Sequence, residues 1–176
     1  MLWVKTFFGI LFQTILLGIF LYLPALTLNW SDAFLLLTIH FLMTILASAY
    51  LLIVKPESIE ARMNYDSKTQ PKEDRLATAL MFSAIFVGLS LAPIDIFHLN
   101  LSSSFEGSIK NIGLAIYIIG MLLFMASINA NEFAETTVNI QEERGQKVID
   151  TGIYSIVRHP MYTGFIFFIT GVNVWL

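Results

Sequence analysis

Phe7–Leu28 reads FFGILFQTILLGIFLYLPALTL, a run without a single charge. A bilayer core takes about 20 apolar residues in helical form, and in lipid each backbone N–H and C=O must find its partner inside the segment. The run therefore predicts a membrane-spanning helix. It is longer than the roughly 7–15 residues of a signal-peptide core, and no clean small-x-small cleavage site follows it. Four more stretches share its character. Ala33–Val54 carries only His40 as an ionisable group, while Leu76–Ile94, Ile112–Ala130 and Pro160–Leu176 are uncharged. The prediction is an all-α fold: a polytopic transmembrane helical bundle of about five spans over 7–28, 33–54, 76–94, 112–130 and 160–176. At 176 residues these form one integral membrane domain, 1–176.

Composition points the same way. The chain is 56% hydrophobic and 13% charged, about half the charge of an ordinary soluble domain. Ten basic residues and a net charge of -3 exclude a nucleic-acid partner. The absence of cysteine excludes a disulfide framework, a thiolate zinc site and a cysteine nucleophile, and no metal site is predicted. The bilayer is the first expected partner.

Lys and Arg set the orientation. With the N-terminus inside, the inner segments are the N-terminal tail and the loops 55–75 and 131–159, which together hold nine of the ten basic residues; Lys110 alone lies on the other side. The positive-inside rule then predicts a cytoplasmic N-terminus and two cytoplasmic loops, in a plasma or inner membrane. The first loop has ten charged residues, five of each sign. It reads as a solvated connector or as a short amphipathic helix on the membrane surface.

Few polar groups fall inside the spans. His40 is the one ionisable side chain well within a span; it reads as a neutral histidine bonded to a neighbouring helix, or as a functional group. Asp95 and His98, after Pro93, sit where water reaches them and suggest no special role. Gly113 and Gly120, seven apart, share a face of the fourth span, as Gly164 and Gly171 do in the fifth. Small residues on one face let helices approach closely, so these two spans are expected to pack as a hairpin.

The densest polar information lies in residues 129–162. Asn129, Glu132 and Thr136 recur at helical spacing, lining a pocket or forming a wet helix end. Gly145 and Gly152 mark turns. Then come Arg158, His159, Pro160, Met161 and Tyr162 at the mouth of the fifth span. Pro160 suits the first turn of a helix and pushes His159 out of helical geometry. His159 is thus presented beside the positive end of the helix dipole, with Arg158 as a fixed cation. The pattern reads either as an anion or carboxylate site or as an interfacial anchor.

Gly152-Ile153-Tyr154-Ser155-Ile156-Val157-Arg158-His159-Pro160-Met161-Tyr162 resembles the G-x-Y-x-x-x-R-H-P-x-Y signature of the isoprenylcysteine carboxyl methyltransferase family, including its bacterial and archaeal members. Asn131-Glu132-Phe133-Ala134, Val138-Asn139-Ile140-Gln141 and Arg144-Gly145 are also similar to bacterial members, so the resemblance covers roughly 129–171. It implies a membrane methyltransferase that uses S-adenosyl-L-methionine and methylates a lipophilic or small carboxylate, thiol or amine acceptor. It implies cofactor contacts from Gln141, Gln146, Lys147, Val148, Ile149, Tyr154, His159, Pro160, Met161 and Tyr162, and catalytic roles for Arg158, His159 and Tyr162. Family members often carry His where this chain has Gln146, which keeps a hydrogen-bonding side chain and removes a titratable one. Methyl transfer from a sulfonium is an in-line displacement, so alignment and removal of water are the enzyme's main tasks.

The family also continues past its RHP helix into a Glu-bearing cytoplasmic segment, whereas this sequence stops at Asn173-Val174-Trp175-Leu176. The expectation is a relative lacking the C-terminal part, with a partner chain supplying the missing half or with no activity of its own. A nicotinamide-dependent sterol-reductase-like enzyme is the other enzymatic reading. A transporter does not fit, since no charged residue lies deep in any span.

Overall fold

The computed structural model describes residues 1–63, 72–101, 105–131 and 148–176. Among these the chain is a helical bundle: α1 (Leu2–Ala25), α2 (Ser31–Val54), α3 (Pro56–Met63), α4 (Lys72–Ile94), a π-helical turn (Asp95–Leu99), α5 (Gly107–Ala130), a 3₁₀ turn (Gly152–Ser155) and α6 (Pro160–Trp175). Four helical segments are long and apolar enough to cross a membrane: Leu2–Ala25, Ser31–Val54, Arg75–Leu99 and Gly107–Ala130. α6 has 16 residues, roughly 24 Å at 1.5 Å per residue, and is shorter than a bilayer core of about 30 Å.

Local chemistry sets the helix ends. α1 stops one residue after Pro24, and Leu26 turns into the left-handed region at φ 54°. α2 stops at Val54 because Pro56 disfavours helical geometry at Lys55, which has φ −144° and ψ 61°. Pro56 then opens α3, where its missing N–H is harmless. So the start of the first charged loop is a helix, with Ser58 and Ile59 buried and Ile59 packed against Leu51 and Leu52 of α2. The third span also runs on past 94. Beyond Pro93 the chain tightens into the π-helical turn, closed by a 2.7 Å bond from the Asn100 N–H to the Asp95 carbonyl. Asp95 and His98 therefore belong to the helical segment, and His98 Nε2 hydrogen-bonds the Pro24 carbonyl at 2.6 Å.

α5 and α6 form the tightest pair, antiparallel, with glycines at the seam. A Cβ on Gly113 would lie 2.5 Å from the Trp175 backbone nitrogen, and one on Gly120 would lie 2.7 Å from that of Phe168. A Cβ on Gly171 would collide with the Tyr117 backbone, and one on Gly164 would approach the Gly120 carbonyl at 3.1 Å. The four glycines spaced by sevens make this hairpin possible. On its other side α6 meets α4 through Asn173. Its Nδ2 donates to the carbonyls of Gly88 and Ile169, both at 2.8 Å, and its Oδ1 accepts from the Ala92 N–H at 3.2 Å. One amide thus serves backbone groups just ahead of Pro93, where the helical ladder needs outside partners.

The main core lies toward the α1–α2 turn, around Leu21, Leu36, Leu89, Tyr117 and Val172, all at most 2% exposed. A smaller cluster, Leu51, Leu52 and Ile59, lies at the α2–α3 end. Outward faces carry apolar side chains, among them Phe12, Leu46, Ile53 and Leu80, as expected where lipid is the solvent. Lys110 forms a 2.6 Å ion pair with Asp32 and lies 5.0 Å from the centre of the Trp175 ring, while Trp175 Nε1 donates to the Asp32 carbonyl. This ties the starts of α2 and α5 to the end of α6. Because both charges are partly exposed, we expect Lys110→Met to cost about 1 kcal/mol or less. The check is a denaturant midpoint in detergent, which should move by less at high salt than at low salt.

Candidate functional site

The motif residues gather where the chain enters α6. Gly152 adopts φ 60°, in the left-handed region, and starts the 3₁₀ turn that carries Tyr154. The turn packs on the end of α5, where a Cβ on Gly152 would lie 3.5 Å from Ala130 Cβ. Asn131 Nδ2 donates to the Tyr154 hydroxyl at 3.4 Å, so the tyrosine is held by the residue just after α5. The chain then turns through Ile156 and Val157, whose N–H groups both donate to the Ile153 carbonyl.

His159 has φ −129° and ψ 64°, the non-helical geometry that a following proline favours. Pro160 is buried at the first position of α6. The Thr163 N–H donates to the His159 carbonyl. The N–H groups of Met161 and Tyr162 lie in the first turn, which has no intrahelical acceptors to offer. The His159 and Tyr162 rings lie 5.6 Å apart at a 32° tilt, with Tyr162 56% exposed. Arg158 is exposed and forms no ion pair among the described residues. Met161 and Ile149 are half-buried, and Val148 is exposed. Gln141, Gln146 and Lys147 lie outside the described residues, as do Glu132 and Thr136. Asn129 is described. Its carbonyl accepts from Lys55 Nζ at the α2–α3 junction, and its Oδ1 is buried with no hydrogen-bond partner among the described residues.

The arrangement offers a cation at Arg158, first-turn N–H groups of a helix and accessible aromatic faces. That donor set fits a ligand carrying both a carboxylate and a flat ring, and S-adenosylmethionine carries both.

Sequence reasoning missed a second feature. A cavity of about 430 Å³ lies inside the bundle, between the two cores, walled by α1, α2, α3, α5 and α6. Its polar wall comes from the N-terminal half: Thr6, Gln13, His40, Thr44, Ser48 and Arg62. Its apolar wall comes from α5 and α6, with Met121, Phe124, Met125, Phe165 and Phe168. None of the motif residues from Tyr154 to Tyr162 lines it; α6 reaches it one and two turns further in, at Phe165 and Phe168. His40 hydrogen-bonds a neighbouring helix, its Nδ1 lying 2.7 Å from the Tyr117 hydroxyl. The only hint in the sequence was a histidine within an apolar run.

A family model described as phospholipid methyltransferase matches residues 109–176. Protein-S-isoprenylcysteine O-methyltransferase B of Arabidopsis thaliana is 36% identical over 69 residues, covering 39% of this chain and 35% of that protein. The probable protein-S-isoprenylcysteine O-methyltransferases of Oryza sativa subsp. indica and subsp. japonica are each 30% identical over 107 residues, covering 57% of this chain and 55% of theirs. The chain thus spans about a third to about half the length of these curated relatives. No solved structure matches. The stretch from α5 through the Gly152–Ser155 turn to α6 is thus similar to the phospholipid methyltransferase family, and the similar curated proteins are named as isoprenylcysteine O-methyltransferases.

Proposed function

We propose that this chain is the membrane part of an S-adenosylmethionine-dependent methyltransferase acting on a lipophilic acceptor. The observation that carries the reading is the Gly152–Tyr162 motif, folded onto the start of α6 within the family-matched region. S-adenosylmethionine supplies an electrophilic methyl group on a sulfonium. In this reading Arg158 and the first-turn N–H groups of α6 hold its carboxylate. The faces of Tyr154, His159 and Tyr162 pack against its rings, and Pro160 keeps His159 at the helix mouth. Val148, Ile149 and Met161 are further cofactor contacts in this reading, and Gln141, Gln146 and Lys147, which lie outside the described residues, are carried with them from the motif. Arg158, His159 and Tyr162 border the reacting groups and orient them.

The acceptor's apolar chain lies in the bundle cavity, whose α5–α6 wall is aromatic and methionine-rich. The relatives are named for isoprenylcysteine; for this chain the acceptor is the broader class of lipophilic or small carboxylates, thiols and amines. The distribution of basic residues supports a plasma or inner-membrane location with the motif on the cytoplasmic side, and the whole chain acts as one membrane domain.

The test is calorimetric titration of the purified chain in detergent with S-adenosylmethionine, with NADPH in parallel. The expected result is binding of S-adenosylmethionine and not of NADPH. Binding of NADPH alone overturns the reading in favour of a reductase, and binding of neither also counts against it.

A further inference from the structure

We infer that the bundle cavity selects a lipid chain bearing an oxygen, and that His40 is the residue that recognises it. The inference rests on the reading of the cavity as the acceptor site. His40 is 7% exposed and lines the cavity. Its Nδ1 is engaged by the hydroxyl of Tyr117, which is fully buried, and Phe168 packs edge-on against the imidazole at 6.1 Å. The ring is therefore fixed. Its Nε2 makes no hydrogen bond among the described residues.

Nearby hydroxyls do not serve it. Thr44 Oγ1 donates to the His40 carbonyl, and Thr6 Oγ1 donates to the Leu2 carbonyl. If Tyr117 donates to Nδ1, Nε2 carries the proton and seeks an acceptor. If Nδ1 donates to Tyr117, Nε2 is an acceptor seeking a donor. A hydroxyl satisfies either tautomer.

Depth matters as well. His40 and Leu51, both on the cavity wall, lie eleven residues apart on α2, roughly 16 Å along the helix. A chain reaching from the α3 rim to His40 therefore ends beside an imidazole nitrogen. A plain hydrocarbon there strips water from Nε2 and returns no bond, which penalises it against an oxygenated chain. The polar wall belongs to α1–α3, outside the family-matched residues 109–176. The N-terminal half thus sets acceptor choice, while the C-terminal half carries the transferase motif.

The test uses the full chain in lipid nanodiscs with two probes of equal length, dodecan-1-ol and dodecane. Ring ¹⁵N resonances are assigned to His40 by comparison with His40→Phe. The expected result is that the alcohol shifts the His40 Nε2 resonance and the alkane does not, with the alcohol bound about three- to tenfold more tightly. In His40→Phe that preference disappears; in Tyr117→Phe, which frees the ring, it weakens. Equal affinity for the two probes, or a preference that survives in His40→Phe, overturns the inference. If His40→Phe does not fold, an unmoved Nε2 resonance in the unsubstituted chain overturns it equally. S-adenosylmethionine titrated into the same nanodiscs separates the two ideas. Its binding without an alcohol preference removes only the cavity assignment. An alcohol preference without its binding removes only the methyltransferase reading.

Discussion

Gly171→Ala is expected to take the bundle apart. The added Cβ meets the backbone nitrogen and Cα of Tyr117, atoms of a packed helix that cannot swing aside as a side-chain tip can. Relief requires α5 and α6 to separate along the seam where Gly113, Gly120 and Gly164 also depend on contact between backbones. Overpacking of this kind costs about 3 kcal/mol or more, a large share of the stability of a domain. The damage also travels. Tyr117 holds the His40 ring, so displacing it loosens the cavity wall. Two other glycines serve as controls. A Cβ on Gly18 finds Leu37 Cδ1 at an ordinary 3.4 Å, and one on Gly9 finds only the flexible tip of Met63 at 3.1 Å. Thermal unfolding of the three alanine variants in detergent should leave Gly18→Ala and Gly9→Ala near the parent and melt Gly171→Ala far below it. A Gly171→Ala midpoint equal to that of Gly18→Ala would show that the helices do not meet in this way. Combined with Gly120→Ala, the loss should be less than additive, because one separation relieves both collisions.

That seam was legible because two pairs of glycines at a spacing of seven state a helix face whatever lies between them. Four of the five expected spans were legible for a similar reason: an uncharged apolar run of bilayer length has few alternatives. Proline was harder to read. Pro160 marked a helix start, but the span read as ending at Ile94, just after Pro93, passes instead into a π-helical turn and runs to Leu99. Its polar residues, Asp95 and His98, find partners at the Asn100 and Leu101 N–H groups and the Pro24 carbonyl. The charged segment after Lys55 reads as either a solvated connector or a short amphipathic helix; α3 is the helical alternative, but with only Ser58 and Ile59 as its buried positions its eight residues leave too little periodic trace to decide between the two.

Of the cavity the sequence shows only His40 within an apolar run. The cavity's walls come from five helices, each contributing residues ordinary for its own span, and the partner of His40 lies 77 positions away. By contrast, the Gly152–Tyr162 motif is local. Arg158, His159, Pro160 and Tyr162 are near neighbours in sequence, and one proline fixes how they meet the helix. The segment 132–147, from which Gln141, Gln146 and Lys147 come, lies outside the described residues, so the motif stands on its α6 half.

Arg158 gives that half its sharpest test. If it holds a carboxylate of S-adenosylmethionine, Arg158→Ala lowers the affinity about tenfold; a charge-assisted bond is worth more in a dry site, but this side chain is open to water. An interfacial anchor behaves differently. Its removal leaves cofactor affinity alone, and Arg158→Lys replaces it fully, since either cation reaches the headgroups. A carboxylate held through the planar guanidinium is not so indifferent, and Arg158→Lys should recover only part of the loss. Rising ionic strength should weaken binding to the parent chain and much less to Arg158→Ala. Tyr154 separates ring from hydroxyl. Tyr154→Phe gives up only the 3.4 Å contact with Asn131 and should bind nearly as well, whereas Tyr154→Ala removes the ring and should bind poorly. Ile156, 79% exposed between them in sequence, should tolerate alanine with no change in affinity. Helical circular dichroism should match the parent in every variant, because none of these side chains packs within a span. Cofactor affinity unchanged in a folded Arg158→Ala and Tyr154→Ala would mean that the motif holds the chain to the membrane surface and does not hold the methyl donor.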